Sequence, residues 1–594
     1  MVAKAVVSAI SIILVVGVVI GVVAVVHHDD SKSKSSRDEN LSASMKTINA
    51  LCEPAMYKDQ CIKSLGSVAQ NESATPQDYV KAGLKMSLDE VIKAMNLTDT
   101  LVSKANNSKE PERVKMAINE CKDLLDLAID RLNVALDQVS DPSTYKEEEK
   151  TWDLRLWLSD VITYQTNCVD GFEEAQEPEL QNIMQQGTVN ATELTMSMLD
   201  IVTYFTKSLS ELGYNVNATS LAEELKSSAA DAVGNSASGR RLMSMPMADD
   251  GFPAWVSAAD RHLLSVGGRG HHFAAGVRPN AVVALDGSGQ FRRINDALKA
   301  YNPQEHKGRY VIYVKAGLYK EEVLVAKNMV NVFMFGDGPT RSVVTGNKSF
   351  KSGYQTSKTA SFAVEGNGFL CKNMGFQNTA GPEGHQAVAL RVNAQQAVFQ
   401  NCRFDGYQDT LYTQAGSHFF RDCTISGTVD FIFGNGATLI QNCLIIVRMP
   451  EPNQFNAVTA QGRLGKSEPT AIVIQGCRIL PDRTLVPQRF KIKTYLGRPW
   501  KPYARTVFME SLLGDLIQPQ GYEPWGGNAH TGTAFYGEYA NRGPGARTNL
   551  RVRWKNVKVL SRAEANQYTA LYFLRGMLPY LRSIGMPVAP TLGA

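Results

Sequence analysis

The spacing of apolar residues divides the 594-residue chain into two parts with different periodicities. In the first part, segments such as 79–104 and 121–139 place apolar side chains three and four residues apart, which is the period of an amphipathic helix. Glycine is sparse there, and short breaks separate the segments. The pattern predicts an all-α helical bundle over residues 41–227.

The second part, from Pro279 onward, has frequent glycine and short strand-like runs. One unit recurs in it: an apolar start, a polar or small pair, a cysteine or methionine, and an apolar residue two places later. The equivalent positions are 28, 21, 20 and 34 residues apart, at Met374, Cys402, Cys423, Cys443 and Cys477. A repeat of this length without intervening helices predicts an all-β right-handed parallel β-helix over residues 273–594. A β-sandwich is the alternative, but it gives no reason for the recurring cysteines.

The N-terminal segment is apolar enough to cross a membrane. Ala5–Val26 contains 22 uncharged residues, and such a stretch can span a bilayer. Since no small-x-small cleavage site follows, we expect residues 1–28 to be a signal-anchor, with a cleaved signal peptide as the alternative. Both interpretations place the rest of the chain in the secretory pathway, and Asn-x-Ser/Thr tripeptides such as that at Asn347 agree weakly with a glycoprotein. A polar linker follows at residues 29–40.

Residues 228–272 separate the two predicted domains. The segment is rich in Ala, Ser, Gly and Met and contains basic pairs, a composition typical of an exposed linker that proteases can cut. Arg240 and Arg241, in RRLM, form a candidate processing site.

Charge is distributed unevenly between the two parts. Residues 271–594 carry 37 Lys and Arg against 20 Asp and Glu, an excess of +17, whereas residues 1–270 carry −13. A basic second part indicates contact with a polyanion. The alternative is that the two parts neutralise each other.

The nine cysteines permit disulfides in an oxidising compartment. The four early ones allow three pairings. Among the late ones, the repeat register allows Cys423 to pair with either Cys402 or Cys443. The histidines and cysteines lack metal-ligand spacing, so we expect no metal site.

Two aspartates occupy one position of the repeat. Asp409 follows Cys402 by seven residues, and Asp430 follows Cys423 by seven residues. If the coils stack in register, the two aspartates lie on neighbouring rungs whose backbones are about 4.8 Å apart. Close carboxylates resist ionising together, so the pair could separate a charged nucleophile or base from a neutral acid. Two independently solvated turn aspartates are the alternative.

Five motifs occur in the order found in plant pectin methylesterases, and the chain resembles that family. They are GLYKEEV (317–323), GHQAVALRV (384–392), GYQDTLY (406–412), GTVDFIFG (427–434) and YLGRPW (495–500). The helical part resembles, more loosely, the inhibitor-like pro-region of the same family. The resemblance covers nearly the whole chain after the linker at residue 29.

The resemblance implies a catalytic role for four residues. Asp430 is the nucleophile that attacks the methyl-ester carbonyl of pectin (homogalacturonan), and Asp409 is the proton donor. Gln408 and Gln386 are the amide donors that stabilise the oxyanion in the transition state. Gln386 also contacts the substrate, and the mechanism needs no metal or cofactor.

The resemblance implies further substrate-binding residues and a set of disulfides. Arg498 orients the nucleophile, Trp500 offers a flat face to a sugar ring, and Thr356 contacts the substrate. The implied disulfide pairs are Cys423–Cys443, Cys52–Cys61 and Cys121–Cys168.

The resemblance also implies partners and a destination. We expect pectin as substrate, a proteinaceous pectin methylesterase inhibitor and a subtilisin-like processing protease as partners, and no nucleic acid. The destination is the cell wall or apoplast, with a transient membrane anchor in the signal-anchor interpretation. The helical domain is expected to restrain the enzyme, or to assist its folding, until the linker is cut.

Two places depart from the family pattern. A second basic pair expected before the catalytic domain reads RHLL here, with His262 in place of a basic residue, which favours cleavage at RRLM. The loop LGKSEP (464–469) is less polar than expected, although it touches none of the named catalytic positions.

Rival functions have less support in the sequence. A polysaccharide lyase or a polygalacturonase could share the β-helix, but the calcium-binding acids and the acid cluster that they require are not evident. The rival of another class is a catalytically silent wall-binding or regulatory protein. Intact Asp409, Asp430 and Arg498 argue against it.

Overall fold

Internal contacts divide the chain into two units, Met1–Ala222 and Glu223–Ala594. A computed structural model describes residues 43–68, 74–105, 108, 111–141, 143–144, 147–211, 279–304 and 308–593. The predicted signal-anchor, both linkers and the Arg240–Arg241 site lie outside these residues. Within the described residues, no helix has the length and apolar character needed to cross a membrane.

The first unit is helical, as predicted. Its helices are α1 Ala43–Cys52, α2 Lys58–Gly66, α3 Pro76–Ala105, α4 Pro111–Ser140, α5 Glu148–Glu174 and α6 Pro178–Glu211. Three of the four long helices begin with proline, which suits the first helical position because its missing N–H has no partner there. The buried face of α4 repeats at three- and four-residue steps through Val114, Ile118, Cys121, Leu125, Ala128 and Leu132. The four long helices pack in a ring, each against two others.

Two disulfides tie this unit together. Cys52–Cys61 joins α1 to α2, and Cys121–Cys168 joins α4 to α5. Both pairs are those that the resemblance implied.

Within its described residues, the second unit is built from 24 strands with few helices. The strands are β1 Ala281–Val283, β2 Tyr310–Val314, β3 Gly317–Lys320, β4 Val323–Val325, β5 Val332–Gly336, β6 Ser342–Gly346, β7 Phe362–Val364, β8 Leu370–Lys372, β9 Gly375–Asn378, β10 Leu390–Gln400, β11 Arg403–Asp405, β12 Leu411–Arg421, β13 Thr424–Gly427, β14 Ile432–Gly434, β15 Ala437–Gln441, β16 Leu444–Val447, β17 Asn456–Gln461, β18 Ala471–Gln475, β19 Arg478–Pro481, β20 Thr494–Pro499, β21 Arg505–Met509, β22 Leu512–Leu513, β23 Phe535–Tyr539 and β24 Val557–Val559. The helices of this unit are α7 Ile294–Lys299, α8 Arg562–Asn566, α9 Ala570–Phe573 and α10 Leu578–Ser583, with 3₁₀ turns at Thr356–Thr359, Pro382–Gly384, Val486–Gln488 and Pro544–Ala546.

Parallel pairing winds these strands into the predicted right-handed parallel β-helix. One face runs β3-β6-β9-β11-β13-β16-β19-β22. A second runs from β1 through β5, β8, β15 and β21 to β24. The third carries β4, β7, β14, β17 and β20. The long strands β10 and β12 bend from the third face to the second, since their first residues pair with β7 and β14 and their last with β8 and β15.

The predicted cysteine register is confirmed. Strand pairing on both sides places Met374, Cys402, Cys423, Cys443 and Cys477 at one level of successive rungs, and all are buried. An asparagine or aspartate with φ of 50° to 57° precedes the first four, at 373, 401, 422 and 442. Asn and Asp tolerate this left-handed conformation better than other side chains, so the corner recurs at each turn of the coil.

The predicted Cys423–Cys443 disulfide is not formed, and both residues are free thiols. The register stacks the two residues on neighbouring rungs about 4.8 Å apart, a backbone separation that a disulfide would allow. The sulfurs instead accept backbone hydrogen bonds: Cys423 N–H donates to Cys443 Sγ at 3.2 Å, and Cys443 N–H donates to Cys477 Sγ at 3.3 Å. Burial raises the pKa of these thiols well above its usual value, which keeps them uncharged.

Candidate active site

The third face carries a row of outward side chains that forms the floor of the site. The register aligns Arg391, Tyr412, Phe433, Ala460 and Arg498 on five successive rungs. Since alternate residues of a strand point to opposite faces, these five project from one surface of the sheet. The row therefore brings an aromatic pair to one patch, with an arginine at each end.

Asp409 and Asp430 stand beside this row on neighbouring rungs, as predicted. Leu411 pairs with Ile432, which places each aspartate two residues before its paired strand position, and Asp409 N–H donates to Val429 O at 3.1 Å. Both aspartates are buried, with exposures of 7% and 4%. Both are also left-handed, with φ of 62° and 50°. Strained backbone at two buried carboxylates is a feature of functional sites.

Arg498 grips Asp430 with a two-pronged ion pair. Its Nε lies 2.8 Å from Oδ1 and 3.1 Å from Oδ2, and its Nη2 lies 2.5 Å from Oδ2. Ala460 stands between Phe433 and Arg498 in the row, and its small side chain leaves room for the guanidinium to reach across. A fork of this kind fixes both the charge and the orientation of a carboxylate.

The environment keeps Arg498 charged. Burial acts to lower the pKa of its guanidinium, but attraction and hydrogen bonding to Asp430, with smaller contributions from Asp409 and Glu523, outweigh it and raise the pKa. The guanidinium also lies 4.2 Å from the ring centre of Trp525 and 5.3 Å from that of Phe455. Aromatic faces of this kind attract cations.

The two predicted amide donors lie on neighbouring rungs beside the aspartates. Gln386 accepts from Phe350 N–H at 2.9 Å through its backbone oxygen, and Gln408 accepts from Ala387 N–H at 3.2 Å in the same way. Their backbones are thus fixed while their side chains remain for other contacts. The side-chain Oε1 of Gln386 is buried without a hydrogen-bond partner among the described residues, which points to a ligand or a water in the working site.

An aromatic platform adjoins the charged residues. Tyr412 and Phe433 stack with ring centres 4.2 Å apart, and Trp500 meets Phe433 edge-on at 6.0 Å. Gly462 makes room for the tryptophan, because a Cβ there would lie 2.9 Å from Trp500 Cε3. The platform offers flat apolar surface of the type that sugar rings contact.

A 3₁₀ turn places Thr356 near this platform. It begins the turn Thr356–Thr359 and is 6% exposed. Thr359 Oγ1 accepts from Val388 N–H at 3.0 Å and donates to Thr356 O at 2.6 Å. Val388 belongs to the same apolar cluster as Tyr412 and Phe433, so the turn is tied to the floor of the site.

The loop LGKSEP (464–469), which differs from the family pattern, is rigidly held beside the platform. Buried Glu468 accepts hydrogen bonds from Leu464 N–H at 2.9 Å, from Gly465 N–H at 2.5 Å and from Asn435 Nδ2 at 2.7 Å. The loop follows Gly462 and therefore leaves the sheet next to Trp500.

Several residues of the site were not predicted. Tyr412 and Phe433 each follow one of the two predicted catalytic aspartates by three residues, so the rung register could have revealed them. Trp525 lies outside the five motifs, and no sequence signal marks it. In the part of the chain that the structure describes, no group of three or more His, Cys, Asp or Glu could hold a metal ion.

Comparisons with known proteins agree on one family. The family model named Pectinesterase matches residues 280–577, and that of the plant invertase/pectin methylesterase inhibitor matches residues 46–203. Pectinesterase 4 of Arabidopsis thaliana is 41% identical over 99% of each chain. A probable pectinesterase/pectinesterase inhibitor (number 21) of the same plant is 37% identical over 96% of this chain and 79% of its own. The solved structure of pectin methylesterase from carrot is 45% identical, has a TM-score of 0.52, and covers 53% of this chain and 99% of its own.

Proposed function

The chain belongs to the pectinesterase family, and from that membership we propose how its residues divide the hydrolysis of pectin methyl esters. The protein is a carboxylic ester hydrolase, a pectin methylesterase with an inhibitor-like domain ahead of its catalytic domain. The rival interpretation, a catalytically silent wall-binding protein, is not favoured, because relatives along the whole chain are pectinesterases. The observation that carries the proposal is the Asp430–Arg498 fork with Asp409 on the adjoining rung.

Asp430 is the nucleophile. Its carboxylate attacks the carbonyl carbon of a galacturonate methyl ester, and the carbonyl oxygen takes up negative charge. Side-chain N–H groups of Gln386 and Gln408 donate hydrogen bonds to that oxygen, and uncharged donors fixed in advance are effective there. Arg498 holds Asp430 ionised and aimed at the ester.

Asp409 is the acid and then the base. In its protonated form it donates its proton to the departing methoxyl oxygen, so that methanol leaves and an acyl-aspartate remains on Asp430. Asp409, now a carboxylate, takes a proton from water, which attacks the acyl carbonyl. The galacturonate acid is released and both aspartates return to their starting states.

Pectin binds along the surface that carries this pair. Trp500 and its aromatic neighbours contact sugar rings, and Thr356 contacts the chain at the edge of the platform. The excess of +17 in residues 271–594 attracts the polyanion that the reaction generates. A nucleic acid is not a proposed partner.

The remaining proposals concern processing and destination, and the proposed cleavage site lies outside the described ranges. The helical domain restrains the enzyme until a subtilisin-like protease cuts at Arg240–Arg241, and the mature enzyme acts in the cell wall. If full-length protein with an uncleavable linker demethylated wall pectin at the full rate, the restraint would be refuted.

Methanol release from methylated pectin tests the proposed nucleophile. Asp430→Asn should abolish activity while leaving the fold intact. Asp515→Asn is the matched control, because Asp515 also pairs with an arginine, Arg489, but is 40% exposed in its side chain. Equal rates from wild type and Asp430→Asn would refute the assignment.

A further inference from the structure

We propose that the loop of residues 448–455, between β16 and β17, is a positioning element that holds the catalytic residues in register. The proposal rests on the function proposed above. Glu451 of the loop contacts the residue before Gln386, and Arg448 contacts the residues before Gln408. Phe455 contacts Arg498 directly. None of these three loop residues has a role in the chemistry described so far.

Arg448 makes the strongest of these contacts. Its Nη1 donates to Gly406 O and its Nη2 donates to Tyr407 Oη, both at 2.8 Å. Its guanidinium carbon lies 3.8 Å from the centre of the Tyr407 ring. Gly406 and Tyr407 directly precede Gln408, so one side chain fixes the backbone and the side chain of the segment that leads into the catalytic pair.

The Arg448 side chain reaches past the adjacent coil to the coil beyond it. Arg448 N–H donates to Gly427 O at 2.8 Å, which continues the ladder between adjacent coils. The guanidinium passes beyond that coil to the one that carries Gly406. Arg448 therefore contacts the coil that leads to Asp430 through its backbone and the coil that leads to Asp409 through its side chain, so one residue links the two.

Glu451 contacts the neighbour of the other amide donor. Its Oε2 lies 3.5 Å from Nε2 of His385, the residue before Gln386. His385 has φ of 59° and ψ of −134°, a costly conformation for a residue other than glycine, which persists only where the surroundings enforce it. The contact from Glu451 is one such enforcement.

Phe455 completes the set at the far end of the loop. Its ring centre lies 5.3 Å from the guanidinium carbon of Arg498. The ring packs edge-on against that of Tyr495, with ring centres 5.6 Å apart. Phe455 and Trp525 both lie against the guanidinium that holds Asp430. The loop thus contributes to the placement of both amide donors and of the nucleophile's partner.

Steady-state kinetics of the full chain on methylated pectin test the proposal through Arg448→Met. Because a displacement of about 1 Å can cost about 100-fold in rate, we expect kcat to fall by about 10- to 100-fold, with KM within about twofold. Arg448→Lys keeps the charge and the ring contact but not the fork, and its kcat should lie between those of the wild type and of Arg448→Met. Tyr407→Phe removes one acceptor while keeping the ring, and should lower kcat by about threefold with an unchanged Tm.

Arg489→Met is the matched control, because it removes an arginine fork, to Asp515, from the same β-helix and should leave kcat unchanged. Unchanged kcat in Arg448→Met and Tyr407→Phe would overturn the proposal. The proposal would also be overturned if the activity of Arg448→Met fell only in proportion to its fraction of folded protein while Tyr407→Phe remained fully active. Asp430→Asn, measured in parallel, separates this failure from failure of the proposed mechanism.

Discussion

Replacing Arg498 with glutamine tests how much the ion pair contributes to the nucleophile. The Asp430 side chain is 6% exposed and that of Arg498 is 20% exposed, so the substitution leaves a nearly buried carboxylate without its cation. Breaking a buried pair in this way costs about 3–5 kcal/mol of folding stability, and because Arg498 is one-fifth exposed and water can partly replace it, we take the lower value. The effect on rate has a separate cause, the loss of the cation that aligns the reacting carboxylate. Losing one preorganised electrostatic partner of a reacting group costs about 100- to 1,000-fold in kcat, and we expect a fall of about 100-fold.

The assay is methanol release at several pectin concentrations, with Arg498→Lys and Arg551→Gln in parallel. Lysine restores the charge without the fork and should recover part of the rate. Arg551 forms a more deeply buried pair with Glu538, with side-chain exposures of 6% and 5%, so its glutamine variant should lose thermal stability but retain the kcat of the folded enzyme. If Arg498→Gln kept kcat within threefold of wild type, the reasoning about the fork would be refuted.

Three further predictions concern other parts of the β-helix. Burial lowers the pKa of His418 to about 3, whereas the unfolded chain binds this proton near pH 6.5. The free energy of unfolding should therefore fall by about 1.4 kcal/mol for each pH unit of acidification below that value. Urea unfolding at pH 6 and 5 should show this dependence on pH in the wild type and not in His418→Asn, and an equal dependence in both proteins would contradict the prediction. Gly462→Ala should displace Trp500 and raise KM for pectin about fivefold at little cost in kcat, and an unchanged KM would argue against the tryptophan as a sugar platform. Alkylation of the denatured, unreduced protein should modify five thiols; two fewer would show a further disulfide, and the two unmodified peptides would show whether it joins Cys423 to Cys443.

The repetition in the sequence was sufficient to predict the coil and the pairing of the aspartates. The rungs of Cys402 and Cys423 repeat the same corner and the same inward cysteine, so counting seven residues from each cysteine locates Asp409 and Asp430 without coordinates. The helical unit was predictable for a similar reason, since its apolar period is unbroken along α4.

The contacts that cross rungs could not be predicted in this way. Trp525 reaches Arg498 from a loop, and Arg448 reaches Tyr407 across 41 residues. Loop lengths differ from coil to coil, so no fixed spacing marks such pairs. The Cys423–Cys443 bond was wrong because the resemblance, and not the register, supplied the pairing, and both residues are free thiols in the structure.

The division of labour between the two aspartates is the central claim, and the dependence of rate on the leaving group tests it most directly. A phenolate leaving group needs no proton, whereas methoxide does. Asp409→Asn should therefore release a burst of phenol from an aryl galacturonate ester while remaining nearly inactive on the methyl ester, and Asp430→Asn should be inactive on both. A burst from Asp430→Asn, with none from Asp409→Asn, would contradict the account.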